Sequence, residues 1–202
     1  MNKIKEILIG TNNKGKYREI CNLLPNGIKK YSPKKFNLSS PEETGKSFEE
    51  NSLIKASYFS KKTNLICISD DSGLEINLLN NEPGIYSSRW SGEKDNFDLA
   101  IKKIFEKMTE KQKDWKKNLN PARFICCMTL FWPDGKNYSS KGIVKGKISN
   151  KKRGKNGFGY DPIFIPSGYN KTFGEMKPKF KMSIDHRFKA FQKIKKIFSK
   201  KI

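Results

Sequence analysis

Histidine occurs only once in the 202 residues, as His186, and that alone excludes a metal site built from several imidazoles. Cysteine is also scarce. Cys21, Cys67, Cys126 and Cys127 contain no C-x-x-C pair and mostly sit in apolar runs, so neither a disulfide framework nor a zinc knuckle is indicated. A reducing, cytoplasmic setting is the expectation. Long apolar runs are missing: the opening MNKIKEILIG is far shorter than the apolar part of a signal peptide, and nothing approaches the roughly 18 apolar residues of a membrane span. No membrane partner is expected. Acidic residues number 20 against 42 Lys and Arg, for a net charge of +22. Such a field attracts phosphate-bearing molecules in general. Lysine is spread over nearly every segment, and only residues 18, 89, 123, 153 and 187 are arginine, so no specific nucleic-acid partner is inferred.

What is present suffices for a core. Apolar residues make up 35% and aromatics 12%, which excludes disorder over most of the length, and 202 residues fit a single domain over 1–202. Residues 4–10 read as a buried strand, followed by the polar loop TNNKGK and a helix carrying Tyr17, Ile20, Leu23 and Leu24. A second helix is expected over about 46–62. LICIS at 65–69 then reads as a strand running into an acidic turn, SDDSG. Phe97, Ile101, Ile104, Phe105 and Met108 mark an amphipathic helix over about 95–109, with a charged connector at 111–120. RFICCMTLFW and KNYSSKGIVKGKI flank Pro133-Asp134-Gly135, which predicts a hairpin. A last helix over about 184–200 should turn Phe188, Phe191, Ile194 and Ile197 or Phe198 inward. Alternating helices and strands give an α/β fold with a mixed sheet.

Five segments could carry chemistry. Gly10 to Lys16 spells G-x-x-x-x-G-K, whose helix-start amides suit phosphate oxygens, but Tyr17 stands where a P-loop needs a hydroxyl for Mg²⁺. Simple helix capping is the bland alternative. Asp70 and Asp71 end an apolar strand, the usual place for ligands in α/β sheets, where one or two carboxylates with substrate phosphates hold Mg²⁺. An Asx turn would need only one of them. Glu42 and Glu43 could add a carboxylate, although such residues also serve helix dipoles. The glycine-rich Gly154–Pro162 segment offers Phe158 and Tyr160 for stacking on a base. Lys181, His186 and Arg187 supply three donors near the last helix.

Read in order, TNNKGKYREI, EETGKSFEEN, SDDSGLEI, NNEPGIYSSRWSG, NGFGYDPIFIPSGYNKTFGEM and DHRFKA resemble the non-canonical purine NTP pyrophosphatase family, the inosine triphosphate pyrophosphatases. The resemblance spans almost the whole chain. It implies an inosine-triphosphatase-like fold, a long twisted mixed sheet flanked by helices with a central cleft between two lobes, in a homodimer. It implies Mg²⁺-dependent hydrolysis of a purine nucleoside triphosphate (ITP, dITP or XTP) to the monophosphate and pyrophosphate. By the same resemblance Thr11, Asn12, Asn13, Lys14, Gly15 and Lys16 form the phosphate loop. Asn12 replaces a family glycine, so the backbone there must avoid positive φ or use asparagine's tolerance of it. Asp71 becomes proton acceptor and metal ligand together with Glu42 or Glu43, and Ser72 touches substrate. Phe158, Gly159, Tyr160 and Asp161, with Lys181, His186 and Arg187, contact the base, and Asp185 stands where the family carries serine.

Two other classes compete. A basic nucleic-acid-binding protein would explain the charge through phosphate contacts but leaves both acidic clusters unexplained. A P-loop-like nucleotide kinase would transfer a γ-phosphate instead of releasing pyrophosphate.

Overall fold

In the computed structural model, which describes residues 4–93 and 95–199, strand β1 (Glu6–Ile9) carries Ile7, Leu8 and Ile9 fully buried. That run has no alternation because the strand is covered on both faces and paired on both edges. Its parallel neighbours are β2 (Lys29–Tyr31) and β3 (Cys67–Ile76), with Glu6 opposite Lys29 and Leu8 opposite Cys67. Strands β4 (Pro121–Phe131), β5 (Asn137–Ile148) and β6 (Phe164–Pro166) complete a six-stranded sheet of order β2-β1-β3-β4-β5-β6, in which β5 and β6 are antiparallel. The expected mixed α/β sheet is therefore borne out.

Helices α1 (Lys14–Leu23), α2 (Phe48–Thr63) and α3 (Phe97–Lys111) begin at side-chain caps. Asn13, Ser47 and Asn96 accept from the amides of Lys16, Glu50 and Leu99. On α3 the expected stripe holds, with Ile101, Ile104 and Met108 buried. The hairpin forms as read: Gly135 takes φ +92° and the Trp132 amide donates to the Lys136 carbonyl at 2.8 Å.

Three readings change. The acidic segment is no turn, since β3 runs without a break through Ser69–Gly73 to Ile76. The last helix starts at His186 because the Asp185 amide bonds back to the Lys181 carbonyl, closing the short α4 (Pro178–Lys181). It is also interrupted, as α5 (His186–Ile194) and α6 (Lys196–Ser199), and Ala190 takes the inward position while Phe188 is only half-buried. The charged connector hides an anchor: Trp115 is fully buried and its indole N–H donates to Thr109.

The chain divides into two compact units. The first holds the described residues of Met1–Asp71, Cys126–Gly142 and His186–Ile202, the second Ser72–Ile125 and Ile143–Asp185. Ile7, Ile9, Ile20, Ile68, Met128 and Phe191 share the core of the first. Ile76, Ile104, Trp115, Phe164 and Phe173 share that of the second.

Within the first unit, β5 and α5 approach at backbone distance. A Cβ on Gly142 would overlap the His186 carbonyl oxygen and the Ala190 backbone nitrogen. Gly142→Ala is therefore expected to destabilise the fold by about 1–3 kcal/mol through overpacking. Thermal unfolding should show this as a melting temperature lower by roughly 2–4 °C for each kcal/mol.

Candidate active site

The loop after β1 is organised from both ends. Ser69 Oγ donates to the Gly10 carbonyl at 2.7 Å, the Asn13 amide donates to Thr11 Oγ1 at 3.2 Å, and Asn13 Oδ1 caps α1 at Lys16. Capping and ligand binding are compatible here, because the amides of a helix's first turn have no intrahelical acceptor. Asn12 does not take positive φ, and its amide instead donates to the Leu38 carbonyl at 3.3 Å and to Ser40 Oγ at 3.1 Å.

Strand alternation decides what the two aspartates do. Neighbouring side chains on β3 point to opposite faces, so Asp70 and Asp71 meet different hydrogen-bond partners. Asp70 is fully buried. Its Oδ2 accepts from Arg187 Nε at 3.0 Å, while Arg187 Nη1 donates to Glu19 Oε2 at 2.7 Å. Asp71 Oδ1 accepts from Lys55 Nζ at 2.9 Å, and Asn51 donates to its Oδ2 at 3.4 Å. The same Lys55 ammonium lies 2.5 Å from Glu43 Oε1. Lys16 reaches toward both aspartates, 3.7 Å from Asp70 Oδ2 and 4.0 Å from Asp71 Oδ1.

The electrostatics follow from burial. It pulls the Lys55 ammonium down, but Asp71, Glu43 and Asp70 more than reverse this, leaving its pKa above the ordinary lysine value. Burial pushes the Asp71 carboxyl above its ordinary value; Lys55 and Lys16 offset part of this, and Glu43 adds to it. Glu43 and Asp71 thus converge on one cation, whereas Glu42 is exposed. Among the described residues, no group of three or more His, Cys, Asp or Glu could hold a metal unaided. Two carboxylates completed by substrate phosphates fit Mg²⁺, which is usually bound through one or two carboxylates and retains other oxygen ligands.

In the second unit the glycine-rich segment closes on Asp161. Gly157 and Gly159 adopt φ +76° and +65°, and Asp161 Oδ2 accepts from the Phe158 amide at 2.9 Å and from Lys181 Nζ at 2.8 Å. Lys181 lies 5.1 Å from the Phe158 ring centroid and 4.0 Å from Asp185 Oδ2. Tyr160 corrects an expectation. Its ring is 2% exposed and its hydroxyl donates to the Ser87 carbonyl at 2.7 Å, so it is a core residue and does not offer its face to a base. Ser72 follows Asp71 on β3 and is half-buried. His186 and Arg187 open α5 in the first unit, both buried.

The Ham1 family pattern matches residues 7–197. The chain belongs to the Ham1 family. It is 39% identical over 189 residues to a dITP/XTP pyrophosphatase of Zymomonas mobilis, covering 93% of this chain and 89% of that protein. It is 40% identical over 201 residues to one of Agrobacterium fabrum, covering 94% of each. A solved HAM1 protein from Coxiella burnetii superposes with a TM-score of 0.85 at 34% identity, covering 96% of this chain and 98% of that one.

Sequence reading of this Ham1 chain missed Asn51, Lys55 and Glu19. A signal existed. The buried stripe of α2 runs Phe48, Asn51, Ser52, Lys55, Ala56, Phe59 and Ser60, so polar groups occupy core-facing positions, and Asn51 and Lys55 stand one turn apart on that face. Glu19 sits beside Ile20 on the buried face of α1.

Arg187 supports two buried carboxylates, so Arg187→Ala leaves Glu19 and Asp70 without their main compensation. The expected loss is about 3–5 kcal/mol of stability, read by chemical denaturation. A Glu19→Gln, Arg187→Ala double variant should lose less than the sum of the two single changes.

Proposed function

We propose that this chain hydrolyses deaminated purine nucleoside triphosphates, ITP, dITP and XTP, to the monophosphate and pyrophosphate. The observation that carries the reading is the gathering of Asp71, Glu43, Lys55 and Lys16 beside a capped phosphate loop, in a chain whose relatives bear the name dITP/XTP pyrophosphatase. The reaction joins a water oxygen to the α-phosphorus and breaks its bond to the oxygen bridging to the β-phosphorus. Asp71 takes the water proton, and its raised pKa favours that role. Thr11, Asn12, Asn13, Lys14, Gly15 and Lys16 bind the phosphates, with the two lysines countering the charge that develops on the leaving pyrophosphate.

Mg²⁺ is the cofactor in this reading, held by Asp71 and by Glu43 in preference to the exposed Glu42. When bound, it supplies charge neutralisation on the phosphates. Phe158, Gly159 and Asp161, with Lys181, His186 and Arg187, are assigned to the base, and Tyr160 contributes its backbone alone. Arg187 enters that role already oriented by Glu19 and Asp70. Ser72 completes the substrate contacts. A homodimer in the cytoplasm is part of the proposal. Four free cysteines support a reducing setting, and among the described residues no helix is long and apolar enough to cross a membrane.

A panel of nucleoside triphosphates with pyrophosphate detection tests the function. Hypoxanthine and xanthine present an O6 acceptor and an N1–H donor, and adenine inverts both. ITP and XTP should therefore outrun ATP, by up to about 10⁴–10⁵-fold in kcat/KM if the donors are fully buried. Release of orthophosphate or transfer to an acceptor in place of pyrophosphate would overturn the reading. Asp71→Asn should lower kcat by at least roughly 10²–10⁴-fold with the melting temperature retained. Lys16→Ala should raise KM for the triphosphate and leave thermal stability nearly unchanged. The opposite pattern would make the loop a helix cap only.

A further inference from the structure

A cavity of about 840 Å³ lies in the first unit on the outer flank of the phosphate loop. One wall is a single stripe of α1, since Lys14, Tyr17, Arg18, Cys21 and Asn22 recur at helical spacing; the other is the segment Ser32–Ser39. Lys14, Arg18 and Lys34 bring three cations to it, and no carboxylate is among the described residues that line it. Tyr17 and Leu38 give it an apolar body. Thr11, Asn12 and Lys14 of the phosphate loop line it, whereas Lys16, Glu43, Lys55 and Asp71 do not, so it adjoins the loop without containing the catalytic carboxylates. Its volume falls within the roughly 300–1,000 Å³ of small-molecule sites, which are mostly apolar with a few placed polar groups. Asn12 ties its far wall to the phosphate loop through the Leu38 carbonyl.

We propose that this cavity is a second ligand site that takes a purine nucleoside monophosphate, with the phosphate on Arg18 and Lys34 and the planar base against Tyr17 and Leu38. The choice of a purine monophosphate rests on the proposed hydrolysis, of which it is the product. The cationic, carboxylate-free lining does not depend on that reading.

Cys21 provides a reporter that needs no turnover. Cys67, Cys126 and Cys127 are buried, and burial pushes all three thiols up, Cys127 to about 11, so they label slowly. Cys21 is half-buried and lines the cavity. Iodoacetamide labelling is followed site by site by mass spectrometry, in chelator, with IMP, pyrophosphate or neither. IMP at about ten times its Kd should slow Cys21 labelling about tenfold, because only the empty form reacts. Charge reversal of Arg18 and Lys34 to Glu should abolish that protection, and the milder Arg18→Gln, Lys34→Gln pair should weaken it, with folding checked by thermal melt.

Labelling unaffected by millimolar IMP would overturn the proposal. So would equal protection by pyrophosphate alone, which would leave the planar body without a role. Protection that survives in the folded glutamate variant would place IMP at the catalytic carboxylates instead. If IMP protects through Arg18 and Lys34 while the chain releases no pyrophosphate from ITP, the second site stands and the hydrolytic reading falls.

Discussion

Adjacent residues on a β-strand point to opposite faces, and the site in the first unit depends on that constraint acting on Asp70 and Asp71. The alternation hands one carboxylate to α1 and α5 and the other to α2. Asp70 meets Arg187, which holds Glu19 in turn, while Asp71 meets Lys55 and Asn51. Had the segment formed the turn its composition suggests, the two carboxylates would have been free to face solvent together. By continuing as β3 the chain buries both and obliges the surrounding helices to supply cations.

Burying ions in this way is costly. Each loses several kcal/mol of hydration, and attraction recovers this only where the geometry is close and the remaining hydrogen-bonding capacity is met. Glu19, Lys55, Asp70, Asp71 and Arg187 are all buried, so their positions are tightly constrained relative to one another. The network fixes α1 and α5 against β3 on one side and α2 on the other. It therefore positions Lys16, which the first turn of α1 carries toward both aspartates. A site held by such pairs keeps its charges oriented before substrate arrives, which is the condition for electrostatic stabilisation of a developing charge.

The parts of this arrangement that local rules govern were legible in the sequence. The apolar run of β1, the stripe of α3 and the Pro-Asp-Gly hairpin each follow from periodicity or turn chemistry within a dozen residues. The partners of Asp70 and Asp71 were not, because Arg187 stands 117 positions from Asp70 and Lys55 stands 16 from Asp71. Local composition also misled. Two aspartates beside serine and glycine read as a turn, yet buried cations made strand the better solution. Tyr160 lay among glycines and read as a ring available for stacking on a base, but its hydroxyl found the Ser87 carbonyl and the ring joined the core. The order of motifs along the whole chain pointed to the family where single segments remained ambiguous, since each local signal had a bland alternative and their succession had none of comparable breadth.

The surface and the site have opposite charge balances. The chain as a whole carries +22, whereas the buried and half-buried cluster sets four carboxylates, Glu19, Glu43, Asp70 and Asp71, against three cations, Lys16, Lys55 and Arg187. A polyanionic nucleotide is attracted over long range by the first balance, and the attraction weakens with salt because it acts between exposed charges. At close range the second balance governs. The cluster is short of positive charge, and burial, which is what chiefly raises the pKa of Asp71, is offset only in part by Lys55 and Lys16. In the proposed function a triphosphate adds further negative charge there, so the site is electrostatically complete only when a divalent cation arrives with the substrate. The lysine-rich surface supplies the approach but cannot substitute for that ion, because exposed ammonium groups are hydrated and screened while the carboxylates that need compensation are buried.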